Sequence, residues 1–181
     1  PKAPYEKIGY ARPVVLDDNG AWEAILENAY DIIVTGEING EDTLTFSIPF
    51  RDSKRKYLEN EKKIQIVDDV YKIRTVTDVK DSTGNTVTQI YAEAEFYDLT
   101  FSVRKEEKKF DAETADVAMA YALADTEWSV GTVNVTTKRT WTSTEKNALS
   151  ILRSVANLHG GDLVFDCPNR LVHLLTVNGK D

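Results

Sequence analysis

Asp31-Ile32-Ile33-Val34-Thr35-Gly36-Glu37-Ile38, then Asn39-Gly40, then Glu41-Asp42-Thr43-Leu44-Thr45-Phe46-Ser47-Ile48-Pro49: this stretch decides the fold. Its first run is β-branched, which suits a pleated strand. Asn39-Gly40 suits a type I′ hairpin turn, whose two central residues both need φ > 0. The return run alternates, with Leu44, Phe46 and Ile48 on one side and Thr43, Thr45 and Ser47 on the other. A period of two marks a half-buried strand. Pro49 ends it, because proline has no N–H to give to a ladder.

Working outward, the same signals recur. Ile64-Gln65-Ile66-Val67 and Tyr71 to Val76 form a second hairpin through Asp68-Asp69. Ser82-Thr83-Gly84-Asn85 makes a third turn, after which Ile90, Ala92, Ala94 and Phe96 face one way and Gln89, Tyr91, Glu93 and Glu95 the other. Turns at this spacing point to a small antiparallel barrel or sandwich. Two stretches break the pattern. Residues 51–58 are polar and read as a short helix or a loop. In Ala21 to Tyr30, residues Trp22, Ile25, Leu26 and Ala29 have helical spacing, yet they also suit a loop packed on a sheet.

After Phe96 the period changes. Residues 97–110 read as a charged, solvated connector, with Arg104-Lys105 and Lys108-Lys109 flanking Glu106-Glu107. Asp111 is placed to cap a helix over 112–124, with Glu113 in its first turn and Met119 and Leu123 on its packing side. Thr142 and Glu145 have capping-box spacing. They predict a second helix over 144–159 with an apolar stripe of Ala148, Leu149, Ile151, Leu152, Val155 and Ala156. Gly160-Gly161 ends it. A last hairpin pairs Leu163 to Phe165 with Leu171 to Leu174 across Cys167-Pro168-Asn169. The expected fold class is therefore α+β and β-rich: a barrel or sandwich over residues 1–96, then a smaller α+β part over 97–181. There is no internal repeat.

Composition narrows the function. The chain of 181 residues carries a net charge of −8, which disfavours a general nucleic-acid surface. A single cysteine, Cys167, forms no intramolecular disulfide and no cysteine-based zinc site. No apolar run approaches the roughly 20 residues of a membrane span. The chain starts at Pro1 and stops just after the strand-like Leu174 to Val177. It reads as a piece of something longer.

The residues that could carry chemistry have plainer readings. His159 closes the second helix, where an imidazolium would favour the C-terminal dipole. His173 lies on a strand with no metal-ligand spacing around it. Cys167 with His159 is a conceivable cysteine nucleophile pair, but Cys167 sits in a Cys-Pro-Asn turn with no basic neighbour except Arg170. Asp17-Asp18-Asn19-Gly20 lacks the alternating ligands and downstream Glu of a calcium loop, so it reads as a turn, like Asp68-Asp69. Trp22, Trp128 and Trp141 suit either core packing or a sugar-stacking face, with Trp128 assigned to the core. No H-E-x-x-H, G-x-S-x-G or phosphate loop occurs. No catalytic, cofactor or metal residue is expected in this segment.

Three further segments carry a resemblance. Ala92-Glu93-Ala94-Glu95-Phe96-Tyr97-Asp98-Leu99 is one. Ala122 to Val133, with Trp128-Ser129-Val130-Gly131 at its centre, is the second. Ala148 to Val164, a helix running into Gly160-Gly161-Asp162-Leu163-Val164, is the third. In this order, after an Asn-Gly hairpin, they resemble the N-terminal region of phage minor structural proteins of the prophage tail-endopeptidase type. The resemblance implies a tail-tip baseplate hub related to tail-associated lysins, with tube-like barrels assembled as a trimer. It implies the distal tail protein and the tape measure protein as partners, a virion tail-tip location, and a role in closing the tail channel. Hydrolase domains of such proteins lie further C-terminal, so none of their catalytic residues has a counterpart here. Two other readings compete: a host-receptor or carbohydrate-binding β module, which needs an exposed aromatic platform, and a peptidoglycan hydrolase, which needs convergent acids or a metal.

Overall fold

The computed structural model describes residues 11–36, 40–80, 82–104, 106–144 and 146–176. They fall into two compact units, Pro1–Glu95 and Phe96–Asp181.

The first unit is one sheet of β1 (Val14–Leu16), β2 (Trp22–Ile25), β3 (Tyr30–Gly36), β4 (Asp42–Pro49), β5 (Lys63–Ile66), β6 (Asp69–Lys80) and β7 (Thr86–Ala94). Its spatial order is β2-β1-β5-β6-β7-β4-β3, and every neighbouring pair is antiparallel. Laid flat, seven strands would put β2 and β3 about 29 Å apart. Ile25 and Tyr30 are only five residues apart in the chain, a reach of at most about 18 Å. The sheet must therefore curl until its ends meet. Alternating direction gives β2 and β3, first and last in the order, the same sense. They behave as one interrupted strand, pairing with β1 through its first part and with β4 through its second. The barrel is closed by this crossing segment.

The interior row follows from register. Val15 faces Ala24 and Ile64, Ile64 faces Tyr71, and Tyr71 faces Ala94. Ile73 faces Ala92, which faces Leu44, while Ile90 faces Phe46. All of these are buried. The hairpin expected from Leu44, Phe46 and Ile48 is thus realised; Asn39, in its turn, lies outside the described residues. The second hairpin turns at Val67-Asp68 rather than Asp68-Asp69, since Ile66 pairs with Asp69. Val67 takes φ 56 there. Glu95 departs from its expected outward face. It is buried and ion-pairs with Lys63 at 2.8 Å, as a buried charge requires.

The two ambiguous stretches resolve by tertiary contact. Residues 53–57 form a short 3-10 helix, capped by Asp52, whose carboxylate accepts from Lys54 N–H at 2.7 Å. Residues 22–30 are not helical. Leu26 and Ala29 are buried while Trp22 and Ile25 face solvent, because the chain crosses the barrel seam here.

The second unit holds β8 (Val103–Arg104), β9 (Lys108–Thr114), α1 (Ala115–Leu123), β10 (Ser129–Val133), β11 (Lys138–Ser143), β12 (Lys146–Asn147), α2 (Ala148–His159), β13 (Asp162–Asp166) and β14 (Leu171–Leu175). β9 pairs with β11 and β8 with β12, both antiparallel. β13 and β14 form the expected hairpin, and β10 joins β14 in parallel.

Three expectations are corrected here. The charged connector is not solvated throughout. It contains β8 and the start of β9, and the Arg104 guanidinium donates to Ala122 O at the end of α1 and to Asp125. Asp111 caps no helix: it lies within β9 and accepts from the Thr140 hydroxyl, and α1 starts after Thr114, three residues late. Thr142 caps no helix either. It lies in β11 opposite Lys109, Glu145 is outside the described residues, and α2 starts at Ala148. Its cap is Asn147, whose Oδ1 accepts from Ser150 N–H at 2.8 Å. In each case a strand pairing made with residues far along the chain overrides a local cap signal. Asn147→Ala is expected to lower stability by about 1 kcal/mol, read as a fall in thermal midpoint, while Thr142→Ala leaves it nearly unchanged. The stripe of α2 is wholly buried, and Gly160, at φ 84, terminates it with its N–H on Ala156 O.

Candidate functional site

The residues singled out for chemistry are spread through the two units. His159 is buried, and its Nδ1 donates to Thr137 O at 3.0 Å. It packs as a buried ring at the C-terminal end of α2. His173 Nδ1 accepts from Thr132 N–H at 2.8 Å. The same ring explains Gly131: a Cβ there would sit 2.6 Å from His173 Cε1 and Nδ1. Cys167 lies partly exposed in the β13–β14 turn. Asp17 closes the β1–β2 turn, with Oδ1 accepting from Asn19 N–H at 2.9 Å and Ala21 N–H at 2.8 Å. Its carboxylate is thus engaged by backbone, as the turn reading requires. In the turn after β13, Asn169 holds the Asp166 carboxyl below its usual range by side-chain and backbone hydrogen bonds. Among the described residues, no three His, Cys, Asp or Glu side chains are grouped to hold a metal ion. No helix of the described residues is long and apolar enough to cross a membrane.

The quoted motif segments have a shared packing role. Phe96 stacks on Phe165 at 4.0 Å, and Trp128 meets the same ring edge-on at 6.1 Å. Arg170 places its guanidinium over the Trp128 ring at 5.5 Å. Phe165, on β13, is therefore the point where the segments around Phe96 and Trp128 meet. Sequence reading quoted both segments without seeing this centre, since Phe165 lies more than thirty residues from either.

What the first unit presents to solvent is the crossing segment. Trp22 is 67% exposed, and Ile25, Tyr30 and Ile33 are also exposed. The Trp22 indole N–H donates to Gln65 Oε1 at 3.0 Å, which fixes the ring on the outer surface. A large apolar ring is thus held outward beside strands paired on one edge only. Beside it, Glu23, Ile25, Glu27, Lys54 and Tyr57 line an open depression of about 360 Å³.

The first unit is thus a curled barrel closed by a shared strand, and the second an α+β unit packed around Phe165. Residues 13–94 match the prophage endopeptidase tail N-terminal domain, and residues 102–174 match the prophage endopeptidase tail domain. The chain belongs to the prophage tail-endopeptidase family, as its N-terminal region. Its fold is similar to that of the prophage tail protein gp18 from Listeria monocytogenes EGD-e, with a TM-score of 0.74 and 14% identity over 93% of this chain and 52% of that one. A tail protein from Neisseria meningitidis MC58 gives 0.62 and 13%, over 91% and 50%. The prophage MuSo2 43 kDa tail protein from Shewanella oneidensis gives 0.61 and 11%, over 96% and 58%. The chain spans between 50% and 58% of the length of these structures. No curated protein matched it.

Proposed function

We propose that this chain is a hub module at the tail tip, built into a trimer whose barrels form a tube-like ring beneath the distal tail protein and help close the tail channel. The observation that carries this reading is the occurrence of both prophage tail domains, in order, on one chain. The barrel of the first unit supplies the tube-like domain, and residues 97–181 supply a second, smaller domain. The module itself cleaves nothing; any hydrolase would belong to another part of the full-length protein. The net charge of −8 suits a conduit for DNA, because an acidic lining repels phosphate. The tape measure protein is a further proposed contact.

One observation favours the alternative of a host-receptor or carbohydrate-binding module: the outward Trp22 ring offers a stacking face. Sedimentation of the full-length protein with the distal tail protein distinguishes the two. The hub reading expects a trimer that docks onto the partner ring. A monomer that ignores the partner and binds cell-wall saccharide would replace it with the second reading.

A further inference from the structure

The crossing segment that closes the barrel has little of its own to hold it. Between Ile25 and Tyr30 only Leu26 and Ala29 are buried. Its backbone bonds are few: Leu26 N–H to Pro13 O at 2.9 Å, and two turn contacts at 3.2 Å. The ladders on either side are both interrupted, between Val15 and Leu16 in the β1–β2 pair and between Tyr30 and Ile33 in the β3–β4 pair. Asp31, in the second break, takes φ 50.

What spans this weak point is polar and comes from the 3-10 helix Ser53–Tyr57. Lys54 Nζ donates to Ile25 O at 2.6 Å and ion-pairs with Glu27. Asn28 Nδ2 donates to Asp52 Oδ2 at 2.7 Å, while Asp52 Oδ1 caps the helix. The helix is itself fixed to the barrel wall, because Arg55 donates to Thr88 Oγ1 and pairs with Asp78. Two consecutive residues of the crossing segment, Glu27 and Asn28, and the last β2 carbonyl, that of Ile25, are thus gripped from a single anchored turn.

We propose that the 3-10 helix is a clasp: it holds the crossing segment shut across the barrel seam, and its release opens residues 26–33 locally while the β5–β6–β7 wall stays folded. Opening would bare Leu26 and Ala29 and free part of the β4 edge, around Thr45 and Ser47, a surface able to pair with another chain. The clasp is acid-sensitive. Asn28 and the Lys54 N–H hold the Asp52 carboxyl below its usual range, and Lys54 does the same for Glu27. A depressed carboxylate stabilises the closed form above the ordinary carboxylate range and loses that contribution as pH falls through the depressed value. The charged groups facing this pair are Lys54 on the helix and, around the same depression, Glu23 and Lys56.

Amide hydrogen exchange on the full-length protein tests the clasp. In Asp52→Asn and in Lys54→Met, exchange at residues 26–33 should rise about tenfold at pH 7, with that at 70–94 unchanged. In the unaltered protein, exchange corrected for its intrinsic pH dependence should accelerate at 26–33 between pH 6 and pH 3, and less so in Asp52→Asn. Unchanged exchange at 26–33, or equal acceleration throughout the barrel, would overturn the proposal. The two variants disable different halves of the clasp, so a folding defect in one leaves the other to decide.

Discussion

Leu26→Ala will destabilise the protein by about 2–5 kcal/mol, the range for emptying a fully buried leucine site. Leu26 is completely buried, although it lies in an irregular link rather than in a strand. Its burial follows from barrel closure: the link from β2 to β3 runs across the seam, and Leu26 is the side chain it turns into the interior. Ile25, one residue earlier, points outward and is 39% exposed. Ile25→Ala should therefore change stability by no more than about 0.5 kcal/mol. Urea unfolding of the two variants measures the contrast. Equal, small effects would mean that the ends of the sheet do not meet.

Phe110→Ala will cost about 3–5 kcal/mol, the range for a buried aromatic ring. Phe110 is 1% exposed at the point where β9, β11 and α1 converge. Its ring stacks on Trp141 at 4.8 Å and meets Tyr121 edge-on at 5.7 Å. A two-stranded ribbon such as β9–β11 is marginal alone and depends on what packs against it. Removing Phe110 takes away the ring that joins ribbon to helix. Trp141 should then become more accessible to a soluble quencher, and the urea midpoint should fall. Phe110→Leu keeps most of the volume and should cost markedly less. A Phe110→Ala protein with an unchanged midpoint would show that α1 and the ribbon are held together elsewhere.

What sequence reading could reach was set by distance along the chain. The β3–β4 and β13–β14 hairpins are local, and their alternation and turn residues carried them. The α2 stripe was legible because a helix buries one face by itself. The failures involve distant partners. Thr142 and Asp111 had good local cap credentials, yet Lys109 and Thr140 claimed them, each about thirty residues away. Trp22, Ile25, Leu26 and Ala29 mimicked a helical stripe because the chain turns over while crossing the seam. The parallel pairing of β10 with β14 joins residues about forty apart, and no local signal announces it. The surface features were less legible still. Nothing in the chain order says that β2 and β3 meet as one strand, so the outward Trp22 and the clasp from residues 52–54 emerge only with the closed barrel. The motifs around Phe96 and Trp128 pointed correctly to the family, but their physical reason, packing on Phe165, required the fold.

The central claim is that this chain is a structural part of the tail, placed at its tip. An antibody raised against residues 11–176, bound to intact particles and located by electron microscopy, tests it most directly. The account predicts label confined to the end of the tail distal to the head, with none along the tube. Label spread along the tube or on the head, or particles that lack the protein altogether, would contradict it.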